Sequence, residues 1–396
     1  MEVGHRSGQE EQARLNCYDE AYILKSFLAY GETKGYNETN KNGTGSTPVV
    51  YGGLSMLDIA YSLDHGYVIP TAVSIKSLLE NRDSDLLRIH ILGYHLTKKD
   101  IDGIRTICGS YSVPVLFYEI DEWLDKYKAL HRERGQIGTY GRLLVGYFLD
   151  ESIKRVLYLD GDTLIVSGLK HMNNVELFDN ILAGVYDISL PDCGCREIIH
   201  FSEEEQYINA GVIWINLELW RKENIERKCF EYLKKKPDAI FNDQDAINAV
   251  CRGRISLLPL SMNMTALTPV LPFRCERLVA DKYFEKYCSR EEYEEAQKNP
   301  VIIHFASELF GKPWQEGCVA PYAKVWRKYL HGTPFRHMKK VPRVFSKNKY
   351  RAIYLKNAEG IIRFFYKRRM YFFAAVFYKL FYLYGHKILK VVRRKP

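Results

Sequence analysis

The chain has no run of the roughly 20 consecutive apolar residues that a membrane-spanning helix needs. Its first residues lack the charged-then-apolar pattern of a secretory leader. Cysteine is sparse and scattered, nine among 396 residues, with one close pair, Cys193-Gly-Cys195. That excludes the repeated C-x-x-C spacing of a zinc ribbon, and an odd count argues against a closed disulfide framework. The expectation is a cytosolic protein with reduced thiols. In that setting Asn37-Glu-Thr39, Asn42-Gly-Thr44 and Asn263-Met-Thr265 fit the glycosylation tripeptide by chance. No internal repeat is visible, so the fold is not a stack of like units. Acid is almost missing from the last stretch: residues 335–396 hold 18 Lys+Arg and a single acid, Glu359.

What is present is an ordinary globular composition, 46% hydrophobic and 27% charged, long enough for a full core. The net charge of +9 is unevenly spread, because the 334 residues before the tail carry 39 bases against 47 acids. A mildly acidic body with a basic, aromatic tail points to an anionic surface as partner of the tail alone. Residues 1–54 read as an extension: a helix from Arg14 to Tyr30, then a polar Gly/Asn/Thr-rich linker. Residues 55–334 read as the body and 335–396 as the tail.

In the body, apolar runs alternate with helical spacing. Strands are expected at Leu57–Leu63, Leu86–Leu92, Val113–Tyr118, Ile181–Tyr186, Ile208–Asn216, Ile255–Leu258 and Val301–Ile303. Helices are expected from Val68 to about Leu79, at Lys98–Ser110, Thr139–Leu149, Leu217–Lys236 and Val319–Leu330, and one opens at Asp243-Gln244-Asp245. Such alternation predicts an α/β fold, a mainly parallel sheet flanked by helices, with ligands beyond the carboxyl ends of strands.

One stretch stands out, Arg155 to Val166, where an apolar run drives into Asp160-Gly161-Asp162. Residues i and i+2 of extended backbone face one side, and Gly161 lets the chain turn and a ligand approach. Two hard-oxygen ligands on one side suit magnesium or manganese shared with a phosphate. The bland alternative is a turn with solvated acids. His304 ends another strand and offers a nitrogen, which would favour manganese; alone it reads as a satisfied core histidine.

Five blocks then occur in order: TYGRLLVGYFL, YLDGD, NAGVIWINLELW, NDQDAIN and IIHFASELFGKPW. Together, and with the opening LDIAYSLDHGY, they resemble glycosyltransferase family 8, the retaining sugar-nucleotide transferases that include lipopolysaccharide galactosyl- and glucosyltransferases. The resemblance covers residues 55 to 332. It implies a GT-A type, Rossmann-like mixed sheet and transfer of a hexose, glucose or galactose, from a UDP-sugar to a hydroxyl of a membrane-associated glycan such as lipopolysaccharide. It implies manganese, with magnesium as the substitute, held by Asp160, Asp162 and His304. Tyr61, Ser62, Asp64 and Tyr67 match the segment around uracil and ribose, and Gly66 stands where the family often has asparagine. Arg142 matches the arginine on the diphosphate and sugar, Gly161 lies within the acid motif, and Asp187, Asn209, Asp243 and Gln244 match positions around the donor sugar. Lys312 matches the lysine of the H-[FY]-x-G-x-x-K-P-W block, with Gly311 as the candidate to take over from the block's glycine. That block is two residues longer here, with Ser307 in the place of its glycine and Glu308 without a role.

The expected chemistry is same-face attack with the leaving phosphate oxygen as base, since Gln244 is an amide and a poor nucleophile. Asp187 or Asp243 would stabilise the ring cation. The tail is expected to be an interfacial helix on an anionic leaflet, placing the protein in the cytoplasm on the inner face of the membrane. Nucleic acid is not expected, because no recognition module accompanies the charge. The alternative of another class is a catalytically silent sugar-nucleotide-binding or scaffolding protein of the same fold. A nucleotidyltransferase would need a Gly-rich loop after the first strand, and none is there.

Overall fold

The computed structural model describes residues 56–380, apart from residues 85, 128–129, 131–136, 189–199, 203–204, 237–238, 240, 266–267, 281–282, 307–309 and 344–348. The expected helix Arg14–Tyr30, the polar linker, Cys193, Cys195, Ser307, Glu308 and the last sixteen residues lie outside that set.

The first half is a strand–helix alternation. It runs through β1 (Leu57–Asp64), α1 (Val68–Glu80), β2 (Leu87–Tyr94), α2 (Lys98–Gly109), β3 (Val115–Glu119), β4 (Arg155–Leu159) and β5 (Thr163–Ile165). There follow β6 (Leu182–Tyr186), β7 (Ile208–Asn216), α3 (Leu217–Lys222), α4 (Ile225–Lys235) and α5 (Asp243–Val250). The described chain continues with β8 (Ile255–Leu257), β9 (Met264–Thr265), α6 (Phe273–Val279), α7 (Arg290–Lys298), β10 (Ile302–His304), α8 (Ala323–His331) and α9 (Lys349–Lys367). Seven strands form one sheet in the order β3-β2-β1-β4-β7-β6-β8, and β5-β10-β9 form a second. The large sheet is mixed and mainly parallel, with β7 antiparallel to both β4 and β6.

Alternation along β1 explains the layering. Leu57, Ile59, Tyr61 and Leu63 enter the core shared with α1 and α2. Ala60 enters the opposite core, with Leu143, Leu144, Trp220, Phe230 and Ile247. Because β1 and β4 are parallel neighbours, their carboxyl ends lie side by side and deliver Asp64 and Asp160 to one edge. The small sheet is tied to α1: Ser77 Oγ accepts from Ile165 N at 2.9 Å, and Ser74 Oγ meets Thr163 Oγ1 at 2.8 Å.

Three expected helices differ. Residues 139–149 are 3-10 turns over Ile137–Leu144 followed by one α turn, Val145–Phe148. The Gly138 and Thr139 carbonyls are taken by Ser62 Oγ and Arg142 Nε, so they are not left to a regular ladder. Tyr147 is 41% exposed and packs edge-on against Trp123 and Phe148. The helix expected from Leu217 to Lys236 is two helices, broken where Asn224 adopts a left-handed φ of 54°. The last body helix starts at Ala323 instead of Val319, because Tyr322 is left-handed (φ 60°) and Val319 N turns back to Phe310 O at 2.9 Å. The six described cysteines are free thiols.

Described residues of the tail pack on the body. Ile362, Ala374 and Ala375 are buried with Leu271, Cys275 and Phe310 in one apolar cluster. A second tail helix spans 371–380 and follows a break at Arg369, whose φ is 58°. No helix among the described residues is long and apolar enough to cross a membrane.

Candidate active site

Asp160 follows the last residue of β4, and its backbone N–H is held by Gly211 O of neighbouring β7 at 2.8 Å. Asp162 precedes β5, whose antiparallel register sets Thr163 opposite His304. The three groups expected to hold a cation therefore meet, each offering one ligand atom, all within 4.8 Å of one another. His304 Nε2 lies 3.1 Å from Asp162 Oδ1 and 3.8 Å from Asp160 Oδ2. The outer oxygens are already engaged. Asp160 Oδ1 accepts from Arg142 Nη2 at 2.8 Å and from Tyr158 OH at 3.0 Å. Asp162 Oδ2 accepts from Lys312 Nζ at 2.8 Å.

The tautomer of His304 follows from a backbone hydrogen. Gly211 N–H donates to Asn209 Oδ1 at 3.0 Å, which fixes which end of that amide is oxygen. Asn263 must then present Nδ2 to Asn209 Oδ1, at 2.9 Å, and its own Oδ1 to His304 Nδ1, at 3.0 Å. Nδ1 therefore donates to Asn263 Oδ1, and Nε2 faces the two acids, where it would offer its lone pair to a bound cation. This is the orientation a metal-bound histidine requires, with its second nitrogen tied to an outer partner. Glycine at 211 is needed for the approach: a Cβ there would lie 2.2 Å from His304 Cε1 and 2.9 Å from Asp160 Oδ2. Gly161 is equally constrained, since a Cβ would sit 2.2 Å from Thr71 Oγ1. The residues present fit a divalent cation with two carboxylates and one imidazole.

Charge around the acids is balanced by two buried bases. Burial works to raise the Asp162 pKa, but Lys312 and His304 override it and hold the carboxyl well below the usual range. Burial disfavours charge on Arg142, yet Asp160 and Asp243 keep it firmly protonated. Asp243 Oδ2 is 2.8 Å from Arg142 Nε. Burial nevertheless pushes its carboxyl up to about 6, against the pull of Arg142 and with the help of Asp160.

A second ring surrounds Asp187. Its Oδ2 accepts from Asn209 Nδ2 at 3.1 Å and from Gln244 Nε2 at 3.0 Å. Gln244 Oε1 accepts from Ala210 N at 2.9 Å, and its amide nitrogen also reaches Tyr207 OH at 3.2 Å. Tyr207 OH in turn donates to buried Asp245 Oδ1 at 2.5 Å. Gln244 is thus oriented at both ends of its amide.

Most expected site residues are brought together at this edge. Ser62 binds the Gly138 carbonyl, and Asp64 Oδ1 accepts from Tyr67 N at 3.2 Å, capping the turn that carries Tyr67. The Tyr67 ring packs edge-on against Trp314, 5.8 Å between centroids. Tyr61 is not brought there. It is fully buried in the α1 core with its hydroxyl on Ser74 Oγ at 3.1 Å, because odd positions of β1 face away from Ser62. Gly311, with φ +71°, shapes the loop before Lys312. Asn263 was assigned only to a chance glycosylation tripeptide. It is buried behind His304, and no spacing in the sequence marks it. No signal in the sequence marks Tyr158 or Tyr207 either, and Asp245 reads there only as an acid at a helix start.

A family model described as "Glycosyl transferase family 8" matches residues 58–318. The chain belongs to glycosyltransferase family 8. Membership makes it a glycosyltransferase, and the matched span contains each of the ligand atoms and both buried bases described above. Its relatives include a general stress protein A of Bacillus subtilis, 24% identical over 70% of this chain and 94% of that protein. A lipopolysaccharide 1,2-glucosyltransferase of Escherichia coli is 25% identical over 74% of this chain and 84% of its own length. A putative glycosyltransferase of Haemophilus influenzae is 28% identical over 53% of this chain, which spans 63% of that protein. Among solved structures, a galactosyltransferase LgtC in complex with donor and acceptor sugar analogs superposes with a TM-score of 0.60, at 21% identity over 70% of this chain and 96% of that one. That likeness places the GT-A type fold.

Proposed function

We propose that the chain transfers a hexose, glucose or galactose, from a UDP-sugar to a hydroxyl of a membrane-associated glycan, with retained configuration. The observation that carries this reading is the convergence of Asp160, Asp162 and His304 within 4.8 Å, flanked by Arg142 and Lys312. A diphosphate needs both a cation and fixed positive charge, and the edge supplies the means for both. Similarity to the Escherichia coli glucosyltransferase and to a lipopolysaccharide 1,3-galactosyltransferase of Salmonella typhimurium, 23% identical, supports the sugar and the acceptor class.

When bound, a divalent cation, manganese in this reading with magnesium as substitute, neutralises charge building on the leaving diphosphate. The chain's own groups do the rest. Asp160, Asp162 and His304 would hold that ion. Lys312 and Arg142, already fixed before reaction, add charge beside the leaving group. Asp64 accepts the uracil or ribose donors, and the Tyr67 ring, braced by Trp314, offers the face for stacking. Asp187 and Asp243 line the side where the sugar ring gains positive charge, and Asn209 braces Asp187. Gln244, held at both ends, positions the sugar and does not attack. The acceptor hydroxyl therefore enters on the face the diphosphate leaves, and its proton passes to the leaving phosphate oxygen.

The tail supports a peripheral site on an anionic leaflet, on the cytoplasmic side. Phe364, Phe372 and Phe373 are 48%, 54% and 47% exposed, beside Arg368 and Lys367. Arg368 sits over the Phe364 ring at 3.8 Å. An exposed aromatic face among bases suits a headgroup layer.

UDP release measured across UDP-glucose, UDP-galactose and their N-acetyl forms, with and without manganese, tests the reading. Turnover with one hexose, lost in Asp160→Asn and Asp162→Asn, is expected. Near wild-type turnover in either variant would sink the metal-site assignment. Turnover only with an N-acetyl sugar would overturn the hexose assignment.

A further inference from the structure

The family match ends at residue 318, and the tail lies beyond it. The Lys312 loop is nevertheless gripped by that tail from its outer side. Phe310 is fully buried, and its ring centroid is 5.5 Å from that of Tyr366 on α9. Val341 N donates to Trp314 O at 3.1 Å and Val341 O accepts from Glu316 N at 3.0 Å, a short backbone bridge to the loop. Two guanidinium groups close the back. A Cβ on Gly311 would lie 3.5 Å from Arg343 Nη1, and one on Gly317 would lie 3.7 Å from both terminal nitrogens of Arg363. Both arginines converge on buried Glu359, Arg363 at 2.5 Å. The single acid of the tail is thus spent on fixing two bases against this loop. On its inner side, the loop carries Lys312, whose Nζ bonds Asp162 Oδ2 at 2.8 Å and the Phe305 carbonyl.

We infer that the tail is a positioning part of the active site: Tyr366 and the Arg343–Glu359–Arg363 cluster hold the loop so that Lys312 reaches the cation and diphosphate site. The inference rests on the reading of Lys312 as a diphosphate contact. A flexible lysine on a loop with two left-handed glycines would otherwise sample many placements. Tyr366 and Glu359 touch no reacting atom and act through the loop. A misplacement of about 1 Å at a reacting group costs on the order of a hundredfold in rate, so the effect is large enough to read.

The test is a double-mutant cycle on the full chain, assayed by UDP release with the hexose donor that turns over best. Tyr366→Ala is expected to lower kcat/KM by roughly ten- to a hundredfold, while Tyr366→Phe, which keeps the ring on Phe310, restores it. Lys312→Ala is expected to lose activity, and Lys312→Ala combined with Tyr366→Ala to lose no more than Lys312→Ala alone. Independent, multiplying losses would overturn the positioning role, and so would wild-type kcat/KM in Tyr366→Ala. Wild-type activity in Lys312→Ala would overturn the reading beneath it, a distinguishable result. Should Tyr366→Ala fail to fold by circular dichroism, Glu359→Gln enters the same cycle from the Arg343 side, with the same expected and opposing results.

Discussion

At the scale of single residues, the amide relay behind His304 makes a sharp expectation. Asn263→Ala removes the acceptor of the Nδ1 proton and frees the imidazole to turn. Loss of an outer partner typically costs about ten- to a hundredfold in metal affinity, and manganese titration by calorimetry should show a loss of that size with the fold retained. An unchanged affinity would mean that Asn263 does not set the orientation of the His304 ring. Glu276 gives a second expectation. It is buried, accepts from Tyr293 OH at 2.9 Å, and burial pushes its carboxyl up to about 7 against the pull of that hydrogen bond. The folded state holds a proton that the unfolded chain has released, so stability should fall as pH rises from about 4.5 to about 7 and level off above. Glu276→Gln should remove that part of the slope and melt above the wild type at pH 8. The two acids, His304 and Arg142 were legible because each breaks an apolar pattern at a strand end or within a helical run. Asn263 was not, because an asparagine before two strand residues has no period to violate. Tyr61 misled for the opposite reason. It sits in the right segment, but alternation turns it into the core.

At the scale of elements, backbone conformation decided where the sequence reading failed. Apolar spacing continues from Leu217 through Leu233, so the pattern shows one helix. The left-handed Asn224 splits it, and short polar side chains are among the few that accept that conformation. Asn224→Ala should cost about 1–2 kcal/mol by urea denaturation, while Asn224→Gly should stay near wild type. Equal losses in both would mean the side chain, and not the backbone, matters there. Residues 137–148 failed similarly, since a helical period does not reveal that Ser62 and Arg142 claim the carbonyls. The strands were legible, β1, β4 and β7 above all, because buried central strands read as continuous apolar runs. Short β5 and β9 are set by pairing with β10, which no local signal records.

At the scale of the whole molecule, the body and tail residues between 362 and 378 share one apolar cluster, so the tail is more than an appendage. Deleting residues 343–396 should lower the melting temperature and leave an exposed apolar surface that binds a hydrophobic dye. Deleting only residues 381–396 should leave the melting temperature unchanged and weaken sedimentation with anionic vesicles, by loss of five bases. Vesicle binding that survives both deletions would remove the membrane role from the tail. The charge split between body and tail was plain in the sequence. The docking of the tail was not, because half-buried and exposed aromatics alternate along it, and two of its most buried positions are the small Ala374 and Ala375.

The register of β5 on β10 carries a consequence in time. Asp162 and His304 are 142 residues apart in sequence, and Asp162 and Lys312 are 150. Contacts of such separation form late, after the loop entropy between them has been overcome. A growing chain emerging from the ribosome can therefore build β1 to β4, and show its acids, long before it owns a third ligand or a lysine. The cluster of Asp160, Asp162, His304 and Lys312 is complete only once the chain has been made past residue 312, so a shorter growing chain has no complete place in which to hold, or waste, a sugar nucleotide.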